Sequence, residues 1–265
     1  MALTMATMTA GTAASAHADP VPGEPSSDRL DVGADVSEQK GQNRWIFGAG
    51  VAMAPRYQGS DRYEAQPLPL IDVRVGRFFA KVGDGIGVTV IETPTFTAGV
   101  SVNWLQGYDA DDVPDGVQGV DSALGARVFV SARLKGFVAT LAATQAVTDT
   151  DRGLLINAGV AYPIRATERL TITPSLGATW GSRTYMDGYF GIDTSEATAS
   201  GLPRYRPSSG LKDLSFRVAA NYRITDSISL AASIGVTQLL DRAADSPIVE
   251  KKTQPIGLVG LTYSF

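Results

Sequence analysis

Between residues 213 and 238 the side chains change character at every step. Leu214, Phe216, Val218, Ala220, Tyr222 and Ile224 oppose Ser215, Arg217, Ala219, Asn221 and Arg223. After the turn at 225–226, Ile228, Leu230, Ala232, Ile234 and Val236 oppose Ser229, Ala231, Ser233, Gly235 and Thr237. Successive side chains of a strand point to opposite sides of a sheet, so each segment has one apolar face and one small or polar face. A helical period fits neither segment. The pattern recurs over 44–54, 95–104, 123–134 and 169–181. It persists to the last residue, where Val259, Leu261, Tyr263 and Phe265 oppose Leu258, Gly260, Thr262 and Ser264. The chain is thus required to be wet on one face and greasy on the other, even where most domains fray.

The spacing predicts about twelve strands, near 44–54, 67–75, 77–82, 86–91, 95–104, 123–134, 137–147, 154–164, 169–181, 213–224, 227–238 and 256–265. Several have about the ten residues that a tilted strand needs to cross a bilayer. The third and fourth are short. The long connections, 55–66, 105–122, 148–153, 182–212 and 239–255, are all odd-numbered, and the even-numbered ones are all tight turns. A soluble sandwich has no reason to sort its loops in this way. An outer-membrane barrel has, because its periplasmic turns are short and its outer loops long. The expected fold is all-β: a closed antiparallel transmembrane β-barrel over residues 44–265, of the outer-membrane type, in a Gram-negative bacterium. Trp45, Trp104, Trp180, Tyr162, Tyr222, Tyr263 and Phe265 fall toward strand ends on the apolar face, where headgroup girdles form. Closure leaves no edge in lipid. Tyr263 and Phe265 then mark the closing strand and its assembly signal, read by the barrel-assembly machinery. Outer-membrane lipid and lipopolysaccharide are the expected surroundings.

Composition removes several function classes. The chain of 265 residues has no cysteine, which excludes disulfides and thiolate chemistry. Its net charge of −4 argues against nucleic acid, which calls for a concentrated basic surface. No run reaches the roughly 18 apolar residues of a transmembrane helix. Residues 1–18 read as a signal peptide, with Ala16-His17-Ala18 as an A-x-A cleavage site but no basic n-region. Residues 19–43 are polar and carry Pro20, Pro22 and Pro25, the composition of a flexible periplasmic leader. The single histidine, His17, lies within the signal segment. Without it the mature chain lacks the usual base for activating a nucleophile, so no enzyme, catalytic residue or cofactor is expected.

Two groups of residues are candidates for function. Arg74, Arg127, Arg133, Arg217 and Arg223 fall on the polar face and would line the lumen, where they either favour anionic solutes or pair with carboxylates as a filled core. The loop at 182–212 is the longest connection, and long loops in compact domains are usually functional or disordered. Tyr185, Tyr189, Phe190, Leu202 and Tyr205 make it too apolar for a solvated tail, so it reads as a recognition loop or a plug. Arg183, Arg204 and Arg206 would pair with the aspartates of the 105–122 loop and cap the pore. Asp109, Asp111, Asp112, Asp115 and Asp121 miss the EF-hand spacing, and the expectation there is a solvated acidic loop with no metal.

Four segments together resemble the MipA/OmpV family of outer-membrane proteins: PRYQGSDRYEAQPLPLIDVR (55–74), GYFGIDTSEATASGLPRYRPSSGLKD (188–213), LLDRAADSPIV (239–249) and the terminal TYSF. The resemblance implies a scaffold or adaptor that brings murein-remodelling enzymes together, with a lytic transglycosylase and a murein synthase as partners. The alternative is a small-solute, porin-like channel with a basic lumen partly plugged by the 182–212 loop. The two readings place function at opposite ends, since murein lies on the periplasmic side and the long loop faces outside.

Overall fold

A computed structural model describes residues 43–148 and 152–265. The expected signal peptide (1–18) and nearly all of the expected leader (19–43) lie outside them. The first half of the barrel runs β1 (Arg44–Pro55), β2 (Tyr63–Val75), β3 (Phe78–Lys81), β4 (Gly85–Glu92), β5 (Phe96–Leu105) and β6 (Ala123–Leu134). Then come β7 (Phe137–Ala146), β8 (Leu154–Ala161), β9 (Ile164–Arg165), β10 (Leu170–Gly181), β11 (Gly210–Arg223), β12 (Ile228–Leu239) and β13 (Thr253–Ser264). Among the described residues three helices lie in the connections: α1 (Arg183–Phe190), α2 (Thr194–Ser200) and α3 (Asp241–Ala244).

Each strand pairs antiparallel with the next, except that β8 pairs with β10 and not with β9, and β13 pairs with β1 from Ile46↔Ser264 to Met53↔Gly257, which closes the sheet. The wall has twelve strand positions, because β8 and the two-residue β9 follow one another along the same side of β10. The interruption between them has a cause in sequence. Tyr162-Pro163 break the strand opposite Pro174 of β10, and neither proline has a backbone N–H to give to a ladder. The Tyr162 N–H still reaches the Pro174 carbonyl at 3.0 Å, so the wall is pinched and not split.

The two faces separate as the alternation requires. In β12 and β11, Ile234 (70% exposed) opposes Val218 across the ladder, while the neighbouring Ser233 (8%) and Ala219 face inward. Exposed apolar side chains therefore cover the outside. Aromatics gather at the end that carries the short turns: Trp45, Phe47, Tyr263 and Phe265 form a chain of ring contacts, and Phe137 meets Tyr162 at 4.6 Å. The chain ends at that end too, which is the periplasmic one in barrels of this kind.

Two bulges break the period. In β4 the register slips between Thr89 and Ile91, so Val90 is the extra residue and both Val90 and Ile91 are exposed. In β11 Thr179 pairs with Asp213 but Trp180 pairs with Leu211, which leaves Lys212 as the inserted residue. A bulge turns two successive side chains to the same side. Lys212 and Asp213 both end up buried.

Candidate functional site

The long connections meet in one apolar cluster at the outer end. Tyr57 comes from 56–62, Tyr108, Val113 and Val117 from 106–122, Tyr185, Met186, Tyr189, Phe190 and Ile192 from 182–209, and Ala243, Ala244 and Ile248 from 240–252. Helix α1 supplies its centre. Ser182 caps it by accepting from the Tyr185 N–H, and the cap hydroxyl also accepts from the Leu154 N–H at 2.9 Å, which fixes the helix to the rim of β8. The spacing of Tyr185, Met186, Tyr189 and Phe190 puts all four on one helical face, and all are buried.

Polar contacts lock the cluster across the mouth. The Tyr57 hydroxyl donates to the Ile248 carbonyl at 2.8 Å, Tyr108 to the Tyr189 carbonyl at 3.1 Å, and Ser246 to the Phe190 carbonyl at 2.6 Å. Tyr189 donates to the Gln106 carbonyl, which also accepts from Arg152 at 2.9 Å while the Arg152 guanidinium lies 4.9 Å from the Tyr189 ring centre. Burial raises the Tyr57 and Tyr108 hydroxyls above the ordinary tyrosine range, with the carboxylate of Glu250 adding to the effect at Tyr57 and the neighbouring Tyr189 at Tyr108. Helix α2 is held by a capping box in which the Asp193 side chain accepts from the Glu196 N–H. That bond is the first cause of the lowered Asp193 pKa. The Glu196 carboxylate accepts in turn from the Asp193 N–H and, at 3.0 Å, from the Gln118 N–H of the acidic loop.

At the rim of this plug sits the bulge of β11. Lys212, only 1% exposed, donates to Gln58 at 2.8 Å, pairs with Asp213 at 2.7 Å and lies 5.8 Å from the Tyr185 ring centre. A buried ammonium survives only with partners, and these supply them.

Toward the short turns the interior is different. A cavity of about 450 Å3 reaches the 93–95 turn and is lined by Arg44, Arg74, Lys81, Arg127 and Arg133 together with Asp72, Asp84 and Glu92. Arg44 pairs with Asp72 at 2.5 Å and Arg74 with Glu92 at 2.7 Å, while Asp84 is shared by Lys81 at 3.2 Å and Arg127 at 3.0 Å. Arg127 also stands 5.1 Å from the ring centre of Phe129. Five cations face three carboxylates, an excess of two positive charges, with Thr89, Thr97, Ser131 and Thr140 supplying hydroxyls.

Of the residues singled out from sequence, Arg74, Arg127 and Arg133 come together in this cavity. Arg217 stands apart on β11, beside Gly235 and Ser175. Arg223 is exposed at the end of the same strand and donates to the Glu168 carbonyl at 2.7 Å. Tyr185, Tyr189 and Phe190 are buried in the outer cluster, with Leu202 and Tyr205 packed against it, and the Tyr205 hydroxyl donates to the Arg242 carbonyl at 2.7 Å. Tyr263 and Phe265 stand exposed on the outer surface at the seam. The acidic loop takes other partners than expected. Asp112 is held by Arg56 at 3.2 Å, and its carbonyl accepts from Arg62. The reason is proximity: 56–62 lies at the barrel end beside 106–122, whereas the 182–209 loop reaches the acidic segment through Glu196. Among the described residues no three acids or histidines gather as a metal site. Lys212, Asp213, Asp84 and Glu92 were missed in sequence. A Lys-Asp pair at a strand start gives no sign of a bulge, and the two acids look like turn residues until the wall folds them inward.

Residues 47–265 match the family described as MltA-interacting protein MipA. The chain belongs to this family. It is 24% identical over 234 residues to the MltA-interacting protein of Escherichia coli (strain K12), covering 84% of this chain and 91% of that one. It is 25% identical over 241 residues to a 24 kDa outer membrane protein of Pasteurella multocida (strain Pm70), with 84% and 91% covered. Among solved structures it is similar to an outer membrane channel from Pseudomonas putida F1 (TM-score 0.49, 13% identity, 86% of this chain and 98% of that one). It is also similar to KdgM porin (TM-score 0.45, 10% identity, 83% and 99%). This MipA-family protein is an outer-membrane β-barrel.

Proposed function

We propose that this MipA-family barrel is a scaffold whose working face is periplasmic, and that it holds murein-remodelling enzymes at the outer membrane. The observation that carries the reading is the asymmetry of the interior. The outer mouth is packed with buried apolar side chains from four connections, three of which supply aromatics, whereas the charged cavity reaches the turn at 93–95. A barrel that is filled above and hollow below is a poor conduit and a stable anchor. The partner surface is then the short turns at 135–136, 166–169 and 224–227, near which Arg133 and Arg223 stand, together with the 19–43 leader. A lytic transglycosylase is the first partner to test, since that is what a relative's name says it interacts with; a murein synthase is the second. The barrel-assembly machinery, lipid and lipopolysaccharide remain partners of its biogenesis and setting.

The second reading is a small-solute channel, favoured by the excess of cations in the cavity and by nothing at the outer mouth. One preparation separates them. Refolded full chain is placed in planar bilayers for conductance, and the same material is offered to a purified lytic transglycosylase. The scaffold reading expects no steady conductance, and binding that is lost when the periplasmic turns and leader are altered. Steady, anion-selective conductance without binding would overturn it.

A further inference from the structure

The barrel wall has a notch beside β2. Strand β3 pairs only with Asp72–Val75, and the hairpin turns back at 82–84. Among the described residues no strand pairs with the outer part of β2, residues 63–70, on that side. The Val82 N–H donates to the Ile71 carbonyl at 3.1 Å, so odd-numbered residues of β2 direct their backbone groups toward the notch. Those residues include Pro67 and Pro69, which have no N–H to direct. Over residues 65–69 the result is an edge with acceptors at Ala65, Pro67 and Pro69, about 7 Å apart at ~3.4 Å per residue, and with a donor only at Ala65.

This edge lies at bilayer depth. Through the ladder Ala65, Pro67, Pro69 and Ile71 stand level with Met53, Val51, Ala49 and Phe47, and Met53, Val51 and Phe47 are exposed on the lipid face. Carbonyls left in hydrocarbon without donors are unfavourable, and closed barrels exist to avoid them. On the β4–β5 side of the hairpin Ile86, Val102 and Trp104 are apolar and exposed as well, and the buried Leu68 and Leu70 of β2 pack with Val82 of the hairpin turn. An added β-strand is a poor occupant, because its own carbonyls would meet two prolines in place of donors.

We propose that the notch binds the chain region of an outer-leaflet amphiphile that carries a hydroxyl or amide N–H close to its headgroup. The hydrocarbon lies against the exposed apolar side chains on either side of the notch, and the hydroxyl or amide hydrogen is donated to the carbonyl of Ala65, Pro67 or Pro69. A plain hydrocarbon chain fills the groove but leaves the carbonyls unsatisfied.

Trp104 reports on the notch directly. The full chain carrying Trp45→Phe and Trp180→Phe keeps Trp104 as its one tryptophan, and it is refolded into phosphatidylcholine vesicles. Two brominated fatty acids are added in turn, one with a hydroxyl near the carboxyl end and one without. The expected result is saturable quenching of Trp104 by the hydroxylated chain, at several-fold lower mole fraction than by the plain one. Equal quenching by both chains overturns the proposal, whether or not it saturates. So does disulfide-linked dimer formation in high yield by a Pro69→Cys variant in the same vesicles, since the edge would then belong to a second copy. The double tryptophan variant must show the heat-modifiable mobility of the intact chain; if it does not, Trp45→Tyr and Trp180→Tyr replace it.

Discussion

The backbone N–H of Phe265 donates to the carbonyl of Trp45 at 3.0 Å, so the residue that follows β13 is bonded to the second residue of β1. The Phe265 side chain, 80% exposed, lies edge-on to both Phe47 and Tyr263. The aromatic terminus is thus the last piece of the seam between β1 and β13. Removing Phe265 is expected to lower the yield of heat-modifiable, membrane-inserted protein several-fold, far more than removing any exposed residue of the 106–122 loop. Equal yields of the truncated and intact chains would show that closure does not depend on it.

The lipid face can be probed one residue at a time. Ile234 is exposed on the outside, and its neighbour Ser233 faces inward. Ile234→Arg is expected to disfavour insertion by about 2–4 kcal/mol if it sits near the midplane. Ser233→Asn places a polar group on the inner face and is expected to change stability much less. Refolding titrations into lipid vesicles decide it, and similar losses for the two would reverse the assignment of faces.

These two predictions rest on what the alternation alone reveals. Each wall strand was legible in sequence because lipid on one side and a polar filling on the other impose a period of two. The plug residues were legible as a group, since Tyr185, Tyr189 and Phe190 are too apolar for an exposed loop. Their partners were not. Tyr57 finds Ile248 across the seam between β13 and β1, which exists only once the sheet closes, and Arg56 finds Asp112 because 56–62 folds beside 106–122. The β11 bulge was hidden for a local reason: one inserted residue shifts the period at a strand end, where it looks like the strand's beginning.

That bulge supports a third prediction. Lys212→Met removes a buried cation and leaves Asp213 and Gln58 facing each other without it. Breaking a buried pair by removing one partner is destabilising by about 3–5 kcal/mol. The double variant Lys212→Met, Asp213→Leu is expected to recover most of the loss, because neither charge then remains. The readout is the urea midpoint of refolding in detergent micelles. If the double variant is as weak as the single one, the pair contributes shape and not charge compensation.

Alkali should open the outer mouth. The Tyr57 and Tyr108 hydroxyls, both in connections outside the membrane, hold their protons above the ordinary tyrosine range because burial disfavours the phenolate. In the opened state they titrate near about 10. Below that pH both states are protonated and stability is unaffected. Above it the opened state loses protons that the closed state keeps, so closure weakens as pH rises toward the raised values. Tyrosinate absorbance should therefore appear in two stages, exposed tyrosines first and the plug residues with opening. Tyr108→Phe gives up the bond to the Tyr189 carbonyl, a loss of about 1 kcal/mol, and one of the protons that drive the transition. The variant is expected to be slightly less stable at neutral pH and less sensitive to alkali. An identical alkaline transition in Tyr108→Phe would mean that the buried hydroxyls do not hold the mouth shut.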